Sequence, residues 1–147
     1  ILNKLFFLIK NNLPVPMIGN GNNRYQFISV YDCVEALIKF IEIKESRGIF
    51  NLGSDNPPTV RDLLKFLIKE VNSSSMLFPT WGTPVKKTLE LMDRLNLTLI
   101  YPEQFLIADR EYVLDTVSLG KDLSFKPKYK DKDMILEAYK DYLKASN

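Results

Sequence analysis

Two spacings of apolar residues alternate along this chain. From Ile1 to Asn12 they fall at positions 1, 2, 5, 6, 8 and 9, with Lys4 and Lys10 outside the stripe. That period predicts a helix over 1–12, ended by Asn11, Asn12 and Pro14. Pro14-Val15-Pro16-Met17-Ile18 reads as extended, because a residue before proline is pushed away from the helical region. A strand is expected near 15–18, followed by a turn at Gly19-Asn20-Gly21-Asn22-Asn23. Tyr25 to Val30 alternates and is rich in aromatic and β-branched residues, which predicts a second strand over 25–30. Asp32 then reads as the N-cap of a helix over 33–44, with Val34, Leu37, Ile38 and Ile41 on one face.

The second half follows the same grammar. Ile49 to Leu52 predicts a short strand, and Gly53 to Pro58 a loop. Thr59 caps a helix over 60–71, whose apolar positions 60, 63, 64, 67, 68 and 71 keep the helical period. Asn72 to Ser75 break it, and Met76-Leu77-Phe78 reads as extended. Pro84 begins a helix over 85–95, and Leu97 to Phe105 has no clear period. Tyr112 to Leu114 reads as a brief strand before a local cap at Asp115. A short helical turn then leads to Leu123 and Phe125. Lys126 to Asp133 is a loop of alternating charge, read as a solvated turn. Met134 to Leu143 is the core of a last helix near 134–144. The fold class is α/β, with dominant helices and short strands. The strands near 25–30 and 49–52 are separated by a helix, so parallel pairing is expected of them.

Composition narrows the chemistry. The 147 residues suit one domain spanning 1–147, and 46% hydrophobic with 26% charged is an ordinary globular mix. Lysine and arginine number 20 against 18 acidic residues, a net charge of +2. That balance gives no global electrostatic case for nucleic acid or a membrane surface. The run Leu5 to Ile9 is far short of the ~20 apolar residues of a membrane span. No cleavage site follows it, so the cytoplasm is the expected location. Histidine is absent and Cys33 is the one cysteine. Histidine triads, disulfides within the chain and Cys/His metal sites are thereby excluded. Ile1 opens in the middle of an amphipathic pattern, which reads as a piece of something longer.

The remaining constellations are modest. Gly19-x-Gly21 lies between two extended pieces rather than between strand and helix, so a turn fits better than a dinucleotide loop. None of the seven tyrosines has a lysine four residues on. Asp32 fits a cap better than a catalytic carboxylate. Cys33 fits a small buried hydrophobe, and Trp81 a packing anchor.

Three stretches nevertheless form a pattern. Pro14 to Ala36 (P-V-P-M-I-G-N-G-N-N-R-Y-Q-F-I-S-V-Y-D-C-V-E-A), Gly48-Ile-Phe-Asn-Leu-Gly-Ser-Asp with the capped helix at Thr59, and the tail are in order. The tail contains Leu114-Asp-Thr, Leu123-x-Phe-Lys-Pro-Lys and Glu137-Ala-Tyr-Lys-Asp-Tyr. Together they resemble the C-terminal part of the extended short-chain dehydrogenase/reductases, the NAD-dependent sugar-nucleotide epimerases and dehydratases. The resemblance spans nearly the whole chain. It implies a small helix-rich substrate lobe, whose glycine-rich loop and Tyr-x-x-x-Lys pair lie in an upstream dinucleotide-binding domain. It further implies a nucleotide sugar as ligand and NAD(P) as cofactor of the full-length family member. No cofactor and no catalytic residue is then carried by this chain, which alone is expected to be inactive. The alternative is a non-catalytic module that binds a nucleotide or a protein.

The sequence departs from the family at several points. The histidine of "F-I-H-V" is Ser29, and the tail motif's lysine and glycine fall at Ser118 and Ser124. The position of the family's phosphate-contacting arginine is Tyr25, with Arg24 one residue earlier. In a strand, that offset turns a side chain to the other face. The expected substrate site runs along Pro16, Met17 and Ile18, with Tyr25 beside them and Arg24 and Arg110 as the basic groups near the phosphates. A homodimer through exposed apolar surface is a further expectation, with Leu5, Phe6 and Ile9 of the first helix as the candidate face.

Overall fold

The computed structural model describes residues 2–43, 48–81, 87 and 107–146. Its elements are α1 (Leu2–Lys10), β1 (Val15–Ile18), α2 (Val30–Glu42), α3 (Val60–Glu70), β2 (Leu77–Thr80), α4 (Val117–Leu123) and α5 (Asp131–Ala145). The class is α/β, as the patterning implies. The helix expected over 85–95 and the aperiodic stretch 97–105 lie outside the described residues, Lys87 apart.

Two helix-to-strand units set the architecture. α1 and α3 each end on an asparagine in the left-handed region, Asn12 (φ 56°) and Asn72 (φ 53°). Asparagine tolerates that region better than most residues. Leu13 N–H then returns to Leu8 C=O at 2.9 Å, and Ser73 N–H to Ile68 C=O at 3.0 Å. The two ends are tied together: Ser73 Oγ donates to Ile9 C=O (2.8 Å), and Ser74 N–H donates to Asn12 Oδ1 (2.8 Å). The strands leaving them therefore start side by side. β1 and β2 pair in parallel, Val15 opposite Leu77 and Ile18 opposite Thr80. The long crossover that parallel strands require holds α2 and α3.

Burial divides into two clusters. Phe6 and Ile9 of α1, Val15 and Met17 of β1, Leu63, Leu64 and Leu67 of α3, and Ile135 and Tyr139 of α5 form the larger. The Phe6 and Tyr139 rings meet edge to face at 5.3 Å. The smaller joins Ala36 of α2 to Leu119, Leu123 and Phe125, with Phe40, Phe50 and Leu52 against it.

Two buried carboxylates bridge the clusters. Asp32 on α2 accepts the backbone N–H groups of Lys128 (3.0 Å) and Tyr129 (3.1 Å). Asp131, the first residue of α5, accepts Ser54 Oγ–H (2.6 Å) and Phe27 N–H (3.3 Å). Ser54 N–H in turn donates to Phe27 C=O at 2.7 Å. Lys128 Nζ also pairs with Glu35 of α2 at 2.7 Å. That carboxylate raises the lysine's pKa above its usual value.

Several expectations need correction. Asp32 is no cap: α2 begins two residues before it, and Ser29 is the N-cap, accepting Tyr31 N–H. Residues 25–30 form no regular strand. Arg24 and Tyr25 make single bridges, to Thr59 and Tyr112. The groups that a ladder would use at Gln26 and Phe27 bond instead to Tyr112, Asp131 and Ser54. Residues 49–52 form no strand either, so the expected parallel pair is replaced by β1 with β2. The loop 126–133 is not merely solvated, because Asp131 is buried and opens α5 three residues earlier than expected. Phe6 and Ile9 are core residues, so α1 supplies no bare face. Val34, Leu37, Ile38 and Ile41 of α2 are instead at least half exposed. Thr116, not Asp115, is the N-cap of α4, and Asp115 Oδ1 accepts Val117 N–H at 2.9 Å from one residue before it.

Asp32→Ala removes a charged acceptor from two backbone donors. It is expected to cost about 3 kcal/mol in urea unfolding, with Asp32→Asn costing less because one oxygen remains. Unchanged midpoints in both variants would show that the 126–131 loop is held by something else.

Candidate functional site

The expected site residues lie on two adjoining stretches, 15–26 and 107–114. β1 runs into a turn whose glycines both take left-handed φ, 78° at Gly19 and 72° at Gly21. A Cβ on Gly21 would come within 2.8 Å of Met17 Sδ, and one on Gly19 within 3.0 Å of Asp109 Cβ. Glycine is required there by both conformation and space. The turn seats on α3: Arg61 N–H donates to Gly21 C=O (2.9 Å) and Val60 N–H to Asn23 C=O (3.0 Å). The Arg61 guanidinium grips Asn20 C=O through Nε (2.9 Å) and Nη2.

The second stretch is pinned to the first. Asn23 Nδ2 donates to the carbonyls of Ala108 (3.2 Å) and Arg110 (3.0 Å). Tyr112 N–H donates to Arg24 C=O, and Gln26 N–H to Tyr112 C=O, at 2.9 and 3.0 Å. Gln26 also joins a third segment, its amide donating to Ser54 C=O and accepting Leu114 N–H. A Cβ on Gly53 would overlap that amide at 2.2 Å, which explains the glycine.

The side chains then fall as follows. Pro16 is exposed, Met17 is buried in the core and Ile18 is half-buried. Thr80 Oγ–H donates to Met17 C=O at 2.7 Å. Tyr25 stacks on Tyr112, with centroids 5.4 Å apart and planes 18° from parallel. Arg24 is already partnered: its Nε lies 2.6 Å from Glu111 Oε1, and its backbone N–H donates to Oε2 at 2.7 Å. Both side chains are half exposed. The Arg24 backbone N–H, and next its guanidinium, hold the Glu111 carboxyl below the usual glutamate range. Arg110 projects into solvent with Asp109 4.0 Å from its Nε. Thus the structure brings Arg24 and Arg110 onto neighbouring backbone but gives them different surroundings. Two open hollows lie elsewhere. One, of about 510 Å³, is between Asp55 and the α4 end; the other, of about 430 Å³, is on the outer side of α5.

Sequence reasoning missed Glu111, Asn23 and Gln26. Each acts on residues 28 to 88 positions away, so no local pattern marks them. Among the described residues no group of acidic or cysteine side chains is arranged to hold a metal. No described helix is long and apolar enough to cross a membrane.

Residues 2–53 match the NAD dependent epimerase/dehydratase family. That match takes in about a third of the chain, so it is a likeness to the NAD-dependent epimerases and dehydratases over that part. Its fold is that of UDP-glucuronic acid 4-epimerase from Bacillus cereus (TM-score 0.68, 16% identity, covering 99% of this chain and 39% of that one). UDP-glucose 4-epimerase from Thermotoga maritima is similar to the same degree (TM-score 0.67, 16% identity, 99% and 40%). Among curated sequences, the uncharacterized protein y4nG of Sinorhizobium fredii is 29% identical over 138 residues, 94% of this chain and 35% of that protein. The chain therefore spans 35% to 40% of the length of these three proteins.

At the starts of α3 and α2, several of the donors that a dinucleotide would need are already used. The first N–H groups of α3, which would face a pyrophosphate, are spent on Gly21 and Asn23 carbonyls. At the start of α2, Tyr31 and Cys33 N–H go to Ser29. At these positions the N–H groups serve the chain's own carbonyls and hydroxyl instead of a ligand.

The ion pair can be read directly. Carbon-detected titration should place the Glu111 midpoint below that of an ordinary glutamate, and Arg24→Ala should raise it only part of the way back, because the backbone N–H of residue 24 remains. Because the folded-state value is lowered, the pair stabilises at pH above the unfolded glutamate pKa. That contribution is lost as pH falls through the folded value. An ordinary midpoint in the unaltered chain would show that the pair does not form in solution.

Proposed function

We propose that this chain is the substrate-binding portion of an NAD-dependent nucleotide-sugar epimerase or dehydratase, and that NAD is held by a separate dinucleotide-binding half. The observation that carries the reading is α2. Its apolar stripe faces solvent, with Ile41 78% exposed and Leu37 58%, while its opposite side buries Asp32 and Ala36. Apolar stripes of this kind are found covered on soluble proteins. A dinucleotide-binding half docked there would cover it. The relatives carry more than half their length beyond the part matched here, which supports the same reading.

On this reading the chain's own residues bind and aim. The extended Pro16–Ile18 segment meets the edge and face of a nucleobase, and Tyr25 lines the approach. Arg24 and Arg110 meet the diphosphate through planar guanidinium forks. Holding the nucleotide end fixes where the sugar points, which is how a positioning lobe accelerates chemistry done elsewhere.

Calorimetric titration tests this. UDP-glucose should bind saturably and NAD should not. Arg24→Ala and Arg110→Ala should each weaken UDP-glucose by about 2 kcal/mol, the worth of a charge-assisted bond. Saturable micromolar NAD binding, or unaltered UDP-glucose binding in both variants, would overturn the assignment. Sedimentation tests the α2 face: the chain should self-associate and Ile41→Glu should reduce it. A monomeric unaltered chain at high concentration would remove α2 as a docking surface.

A further inference from the structure

Arg24 is proposed above as a phosphate-binding group, yet two of its donors already serve an internal carboxylate. Glu111 takes both its Nε–H, at 2.6 Å, and its backbone N–H, at 2.7 Å. One carboxylate oxygen therefore sits on the Nε edge of the guanidinium, an edge that a phosphate group gripped by the planar fork would use. Nothing about the contact is accidental to the backbone. Tyr112 N–H on Arg24 C=O and Asn23 on the carbonyls of Ala108 and Arg110 set residue 111 opposite residue 24. Glu111 is thus delivered to Arg24 by main-chain pairing rather than by a free side-chain search.

We propose that Glu111 is a resident counter-ion for Arg24, which a nucleoside diphosphate must displace in order to bind. The inference rests on the reading of Arg24 as a phosphate-binding group. It adds a specificity-determining residue to that site. Both partners are half exposed, and an exposed ion pair is weak. It is therefore strong enough to hold Arg24 in place and weak enough to yield. A diphosphate brings more charge and more acceptor oxygens than one carboxylate, so it wins the exchange. A singly charged ligand gains little over Glu111 and is disfavoured. Arg110 is next to Glu111 in the chain and is exposed, so it adds positive charge to the same stretch.

The test titrates the chain with uridine diphosphate while following the Arg24 Nε–H resonance. Glu111→Gln should tighten binding about fivefold, the range an exposed pair commands. The same change in an Arg24→Gln background should do nothing. In the unaltered chain the Arg24 Nε–H signal should move as uridine diphosphate saturates. Saturable binding with that signal unmoved, and with equal affinity in Glu111→Gln, would overturn the role of Glu111 while leaving the nucleotide site standing. Failure of both the unaltered chain and Glu111→Gln to bind at millimolar concentration would overturn both, because the site would refuse the ligand even with its counter-ion removed.

Discussion

Two buried carboxylates hold the two cores of this protein together. Asp32, on the smaller cluster's helix, grasps one end of the stretch 128–131, and Asp131, the other end of that stretch and the start of the larger cluster's helix, grasps Ser54 and Phe27. A buried carboxylate is costly unless its lone pairs are met. Here backbone N–H groups and one serine hydroxyl meet them. The same bonds fix the extended pieces at 27 and 54, and through Gln26 they reach the 107–114 stretch that carries Glu111 and Arg110. The geometry of the candidate site therefore depends on polar bonds well away from it. Packing α1, α3 and α5 would produce a core, but it would not set where residue 111 lies.

The sequence made the helices legible where local chemistry decides them. Thr59 caps α3 with the side chain that the residue type predicts, and asparagines end α1 and α3. β1, with Pro14 before it and Pro16 inside it, is equally local. The errors arise where a residue's partner is distant. Asp32 has the composition of a cap, and nothing near it in sequence announces Lys128 and Tyr129. The stretch 25–30 alternates like a strand, but alternation reports extended backbone with two faces, not what bonds to its edges. Its edges are met by a carboxylate and by isolated neighbours instead of by a continuous strand. Gly53 lies in the loop that its neighbours imply, but the reason for a glycine there, room for the Gln26 amide, is set by a residue 27 positions away.

The candidate site was legible as two stretches and illegible as an arrangement. Pro16 to Ile18, Arg24, Tyr25 and Arg110 do converge on neighbouring backbone. Their individual environments did not follow from residue type. Met17 alternates into the core, Tyr25 spends one ring face on Tyr112, and Arg24 meets Glu111 across 87 residues. An arginine in a sequence is a charge in search of a partner. Only the fold shows whether the protein has already supplied one.

The helix α2 separates two questions that periodicity tends to merge. Its apolar positions at 34, 37, 38 and 41 mark a face that avoids water, and that inference needs only the 3.6-residue repeat. Which surface covers the face is a different matter. For α1 the same logic is answered within the chain, by β1 and α5. For α2 the chain answers only on the other side, where Asp32 and Ala36 are buried and the ion pair with Lys128 sits. A helix that buries a carboxylate and exposes an isoleucine is inverted with respect to water alone. The inversion is stable because Asp32 is fully bonded, so turning the helix over would strand a buried charge's partners to hide the apolar stripe. The carboxylate thus fixes the orientation of α2, and with it the direction in which the apolar stripe must find its cover.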